Sequence, residues 1–103
     1  MNTELLQQLI EYGYADDAGI AADVTEVIGG KQYVLCVNGE LVTLASGNPP
    51  QKVFRDSIDK FGGIKVKSGV FKKTLSFTHS GTDYAFAVKN GKTLLQYFKL
   101  LAE

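Results

Sequence analysis

The sequence has no tryptophan, one histidine, one cysteine and one methionine, and each scarcity removes a class of function. A single cysteine, Cys36, cannot close an internal disulfide, so a disulfide-stapled scaffold is excluded and a reducing, cytoplasmic setting is expected. A single histidine, His79, cannot make a zinc site alone, because such sites take three or four protein ligands. No apolar run exceeds five residues (Tyr33 to Val37 is one of that length), whereas a membrane-spanning helix needs about 20. The opening Met1-Asn2-Thr3-Glu4 lacks the basic and apolar segments of a signal peptide. The only prolines are adjacent, Pro49 and Pro50, and no repeat or low-complexity run divides the chain.

Net charge is also absent, but only in sum. Residues 1–50 hold one base, Lys31, against seven acids, a balance of −6, and residues 51–103 hold ten bases against four acids, a balance of +6. Such asymmetry marks either a polyanion or membrane partner, or two neighbouring faces of one folded body. With 103 residues, 45% of them apolar and 21% charged, one domain with a real core is expected.

What is present reads as strands between two helices. Asn2 or Thr3 can cap a helix whose Leu5, Leu6, Leu9 and Ile10 recur at helical spacing, with Gly13 as its stop. A helix this short persists only when docked. Ala15 to Asp23 is an acidic connection, and strand patterns begin at about Ile20. Asn38-Gly39 is a strong hairpin signal, and a loop made of those two residues would pair Leu35 with Val42 and Tyr33 with Leu44. The other face would pair Cys36 with Leu41 and Val34 with Thr43, so both faces are largely apolar and cover is expected on two sides.

Ser46 to Pro50 is a break, followed by short strands around Lys52–Arg55 and Ile58–Val66, the latter bent at Gly62-Gly63. Ser68-Gly69 turns again. Thr74 to Thr78 alternates, and a tight Ser80-Gly81 loop would set Phe77 opposite Tyr84 and Leu75 opposite Phe86. Asn90 is placed to cap a last helix whose Leu94, Tyr97, Phe98 and Leu101 form an apolar stripe, flanked by Leu95 and Leu100.

The residues that could do chemistry are few. His79, Ser80 and Asp83 sit on or beside one tight turn, where side chains diverge instead of lining up as nucleophile, base and orienter, and an exposed turn histidine is expected. Cys36 lies mid-strand without a neighbouring base to lower its pKa, the position of a small buried hydrophobe. Asp16-Asp17 reads as a solvated loop. The pairs Gly29-Gly30 and Gly62-Gly63 lack the spacing of a phosphate loop. No catalytic residue, metal or cofactor is expected.

One cluster points outward. Lys65, Lys67, Lys72 and Lys73 flank the Ser68-Gly69 turn, with Val70-Phe71 at its tip. Lysines around an apolar pair can hold an anionic membrane, and the plain alternative is the solvated side of a strand. Nucleic acid is not expected, because basic and aromatic residues do not interleave repeatedly.

The segments Tyr33-Val34-Leu35-Cys36-Val37-Asn38-Gly39-Glu40-Leu41-Val42-Thr43-Leu44, Asp56-Ser57-Ile58, Ile64-Lys65-Val66-Lys67-Ser68-Gly69, Thr74-Leu75-Ser76-Phe77 and Tyr84-Ala85-Phe86, with the closing helix, resemble the bacterial pleckstrin-homology-like domains, the YokE-like group among them. The resemblance runs from about Tyr33 to Leu101. It implies a mainly β fold (α+β), a bent antiparallel sheet or partly open barrel of about seven strands capped by the C-terminal helix. The short N-terminal helix is then an addition: residues 1–19 form the helix and acidic connection, and residues 20–103 the β-domain. Where the family carries bases after its first matched strand, Val37-Asn38-Gly39-Glu40 has none, and the loop Ile28-Gly29-Gly30-Lys31-Gln32 offers only Lys31. The lipid site known in eukaryotic relatives is therefore not carried over. The expected function is a non-catalytic binding or scaffolding module with a protein partner, and the alternative is peripheral binding to an anionic membrane through the lysines. Leu95 and Leu100 also permit a homodimer.

Overall fold

The structure, a computed structural model, describes residues 1–17, 20–69 and 71–102. Its elements are α1 (Thr3–Glu11), β1 (Ala21–Glu26), β2 (Gln32–Asn38), β3 (Leu41–Ser46), β4 (Gln51–Ser57), a 3-10 turn (Ile58–Lys60), β5 (Phe61–Ser68), β6 (Lys73–His79), β7 (Thr82–Lys89) and α2 (Lys92–Leu101). The strands form one antiparallel sheet in the order β4-β3-β2-β1-β7-β6-β5, with a C-terminal helix and a short N-terminal one. The fold is mainly β, and the sheet is not closed: β4 and β5 are its two edges.

Alternation along each strand builds two apolar layers. Ala22, Val24, Leu35, Val37, Val42, Leu44, Leu75, Phe77, Phe86 and Val88 face inward, where Leu94, Leu95 and Phe98 of α2 meet them. Phe77 stacks on Phe98, with ring centroids 6.2 Å apart and planes 8° apart. The outward-facing Val34 and Cys36 of β2 are sealed by Leu9 of α1 and by Ala15. Strands apolar on both faces are thus covered on both, and Cys36 is fully buried.

Local chemistry fixes these placements. Asn2 caps α1, its Oδ1 accepting from the Leu5 amide at 2.7 Å. The segment after α1 is held at Gly13, whose carbonyl accepts from Asn38 Nδ2 and from an Arg55 guanidinium nitrogen, each at 2.9 Å. The β6–β7 hairpin has the expected register, Leu75 opposite Phe86 and Phe77 opposite Tyr84. The β2–β3 hairpin is shifted by two residues from the expectation, with Leu35 opposite Leu44 and Asn38 opposite Leu41. Gly39 (φ 62°) occupies the first loop position and Glu40 the second, so Asn38 stays in the strand. A shift of two keeps every side chain on its expected face.

The start of α2 also departs from expectation. Asn90 does not cap the helix: it turns the chain at φ 53°, and Gly91 is the N-cap. A Cβ at Gly91 would lie 2.4 Å from Val88 Cγ1 and 2.8 Å from the Ala22 Cβ, so close packing on β7 and β1 demands glycine there. Leu100 is exposed, with α1 docked on β2 instead of on α2. Among the described residues, no helix is long and apolar enough to cross a membrane.

Candidate functional site

Antiparallel pairing of β6 with β7 places Thr74 opposite Ala87, which brings the start of β6 and the end of β7 to one corner of the sheet. The β5–β6 turn closes there, with the Gly69 amide donating to the Lys72 carbonyl at 2.8 Å. Phe71 stands fully exposed at that turn. Beside it, Lys72, Lys73, Lys89, Asn90 and Lys92 line a surface pocket of about 420 Å³. Among the described residues, no carboxylate lines this pocket, and the carboxylate placed beside it by strand pairing is Asp23, opposite Lys89 on β1.

Of the residues expected to act together, Phe71, Lys72 and Lys73 do meet at this corner. Lys67, opposite Thr74, and Lys65, opposite Ser76, point from the outer face of β5, one and two steps along from the turn. Lys65 lines a different depression, of about 560 Å³. Val70 lies outside the described residues. Lys89 and Lys92 were not among the expected site residues, yet the β6–β7 register, legible from the aromatic pairing, already carries the end of β7 to the start of β6.

The larger depression lies on the outer face of β5, β6 and β7 under the β1–β2 turn, which is tied down by the Val27 amide donating to Ala85 at 3.0 Å. Its charges are mixed, Glu26 and Asp83 against Lys65, and Asp83 already accepts from the Thr78 hydroxyl at 2.6 Å. Ile28 on its rim is 89% exposed. Opposed charges and a committed carboxylate give this surface no preference for one sign of ligand.

His79 is not the exposed turn residue expected from its neighbours. It is 7% exposed, and its Nε2 lies 3.0 Å from Asp56 Oδ2. Its ring packs against Phe54, at 4.5 Å, and Phe61, at 4.6 Å, two rings that also touch each other at 5.6 Å. The alternation Leu75, Phe77, His79 directs the imidazole inward although the next residue begins the turn. Asp83 turns to Thr78 and His79 to Asp56, so the three side chains do not line up as a triad. The hydrogen bond from His79, then the Ser57 amide, hold the Asp56 carboxyl below the usual carboxylate range.

Burial pushes the Cys36 thiol up to about 12, which leaves almost no thiolate at neutral pH. Asp16 is half-buried and Asp17 exposed in the turn after α1. Among the described residues, no three His, Cys, Asp or Glu side chains converge as a metal site.

No protein-family model matches the chain, and neither a curated protein nor a solved structure matches it.

Proposed function

We propose that the chain is a non-catalytic binding module that engages an acidic partner through the corner formed by Phe71, Lys72, Lys73, Lys89 and Lys92. The observation that carries this is the corner itself. Four lysines from two separate turns line one pocket that no carboxylate among the described residues shares, beside an aromatic ring left in water. The one carboxylate that strand pairing sets beside them, Asp23, already meets the Met1 ammonium at 3.4 Å, so the lysines repel one another with little counter-charge, and an anionic surface relieves that repulsion. The only histidine and the only cysteine are built into the packing: His79 is held by Asp56 against two phenylalanines, and Cys36 lies beneath α1. Both have structural roles, which supports a binding function over a catalytic one. A thiol kept reduced under α1 suits a cytoplasmic setting.

The element order, seven antiparallel strands followed by a helix, supports the resemblance to pleckstrin-homology-like domains and with it a module that binds without reacting. Shared folds do not fix ligands, so the partner's chemistry is argued from the corner and not from the family. The test is fluorescence anisotropy of a labelled sulfated polysaccharide, a soluble polyanion, with protein added at low and at physiological ionic strength. Binding that weakens as salt rises is expected, because exposed charges are screened within about 10 Å at 0.1 M salt. No binding at low salt by the folded protein contradicts the proposal.

A further inference from the structure

Resting on that reading, we infer that the acidic partner is a lipid bilayer and that Phe71 enters it. Of the six phenylalanines, Phe61, Phe77, Phe86 and Phe98 are buried and Phe54 is half-buried, whereas Phe71 is 100% exposed. At 100% exposure Phe71 is covered by none of the described residues, so folding leaves this one ring in water at the β5–β6 turn.

Two kinds of acidic partner could take such a tip, and the surroundings favour one. A protein pocket that anchors an aromatic residue is dried by a ring of close-packed neutral contacts. A stable protein interface also covers roughly 800 Å² on each side. Among the described residues, Phe71 shares its pocket with Lys72, Lys73, Lys89 and Lys92 and with one apolar side chain, the largely buried Val88, which leaves little apolar surface to seal such a ring. A bilayer asks for less. A narrow tip passes the headgroups and buries one ring, while ammonium groups on flexible stems stay level with the phosphates. The other strongly exposed apolar residues lack this setting: Ile28 shares its depression with Glu26 and Asp83, and Leu100 lies in the last turn of α2.

The absence of tryptophan makes the test specific, because Phe71→Trp introduces the chain's sole tryptophan. Its emission is followed while vesicles of phosphatidylcholine, with or without phosphatidylglycerol, are added, and Phe71→Ser is compared with the parent by vesicle sedimentation. Circular dichroism checks both variants, and at a fully exposed site neither substitution disturbs packing. A blue shift with the anionic vesicles only, together with a loss of about tenfold or more in partitioning for Phe71→Ser, is the expected result. Vesicle binding without a blue shift, and equal for parent and Phe71→Ser, overturns insertion. Binding to the sulfated polysaccharide but not to vesicles overturns the bilayer and leaves an acidic protein as the partner. Binding to neither removes both this inference and the reading beneath it.

Discussion

His79 Nε2 sits 3.0 Å from Asp56 Oδ2, and that contact links β6 to the edge strand β4 across the gap in the open sheet. Phe54 on β4 and Phe61 on β5 both pack on the imidazole and lie 5.6 Å from each other, so the three rings form one triangular cluster. Side chains therefore join the two sheet edges where no backbone ladder does.

Removing that joint loosens the gap. His79→Ala takes one ring from a three-ring cluster and leaves a cavity, with an expected loss of about 2–4 kcal/mol in urea unfolding at neutral pH. A loss below about 0.5 kcal/mol would mean that the gap is held by other contacts.

Acid acts on the same pair. The folded-state pKa of Asp56 is depressed, chiefly by the His79 hydrogen bond, then by the Ser57 amide and more weakly by Lys60. A depressed carboxylate adds stability above its unfolded value, near 4, and that contribution disappears as pH falls through the folded value. The melting temperature of the parent is therefore expected to drop more steeply below about pH 4 than that of Asp56→Asn. Parallel profiles for the two proteins would remove Asp56 as a contributor.

How much of this was readable beforehand differed from element to element. The β6–β7 hairpin was legible because loop length and aromatic alternation specify the same register. In β2–β3 only the loop spoke, and Gly39 took the first loop position, a shift that parity kept from altering the core. The setting of His79 was hidden by the turn that follows it, although its place two residues after Phe77 points inward. The full basic corner was not legible along the chain, because Lys72 and Lys92 are far apart in sequence and are joined only through strand pairing. Gly91 as the start of α2 depended on how closely β1 and β7 approach, a distance that no residue pattern encodes.

The cover over Cys36 makes its reactivity a probe of α1. A thiol at about 12 beneath Leu9 should react with a disulfide reagent at pH 8 at least about a hundred times more slowly in the folded than in the urea-unfolded chain. Leu9→Ala, expected to lower stability by about 2–5 kcal/mol, should raise the folded-state rate. Fast labelling of the parent would show that α1 does not seal the outer face of β2.

Gly91→Ala tests the closeness of α2 to the sheet. The added methyl meets Val88 and Ala22 well inside contact distance, so an expected loss of about 1–3 kcal/mol should appear in urea unfolding. An unchanged midpoint would place α2 farther from β1 and β7 than described.

The central claim is that the basic corner, and not the protein's charge at large, binds an acidic partner. Its most direct test compares two variants of equal charge on the sulfated polysaccharide at low salt. One replaces Lys72, Lys73, Lys89 and Lys92 with glutamine, and the other makes the same change at Lys31, Lys52, Lys60 and Lys99, which lie outside the pocket at the corner. With melting curves confirming that both fold, the corner variant is expected to lose about tenfold or more in affinity and the control about twofold or less. Equal losses in the two variants would contradict the claim.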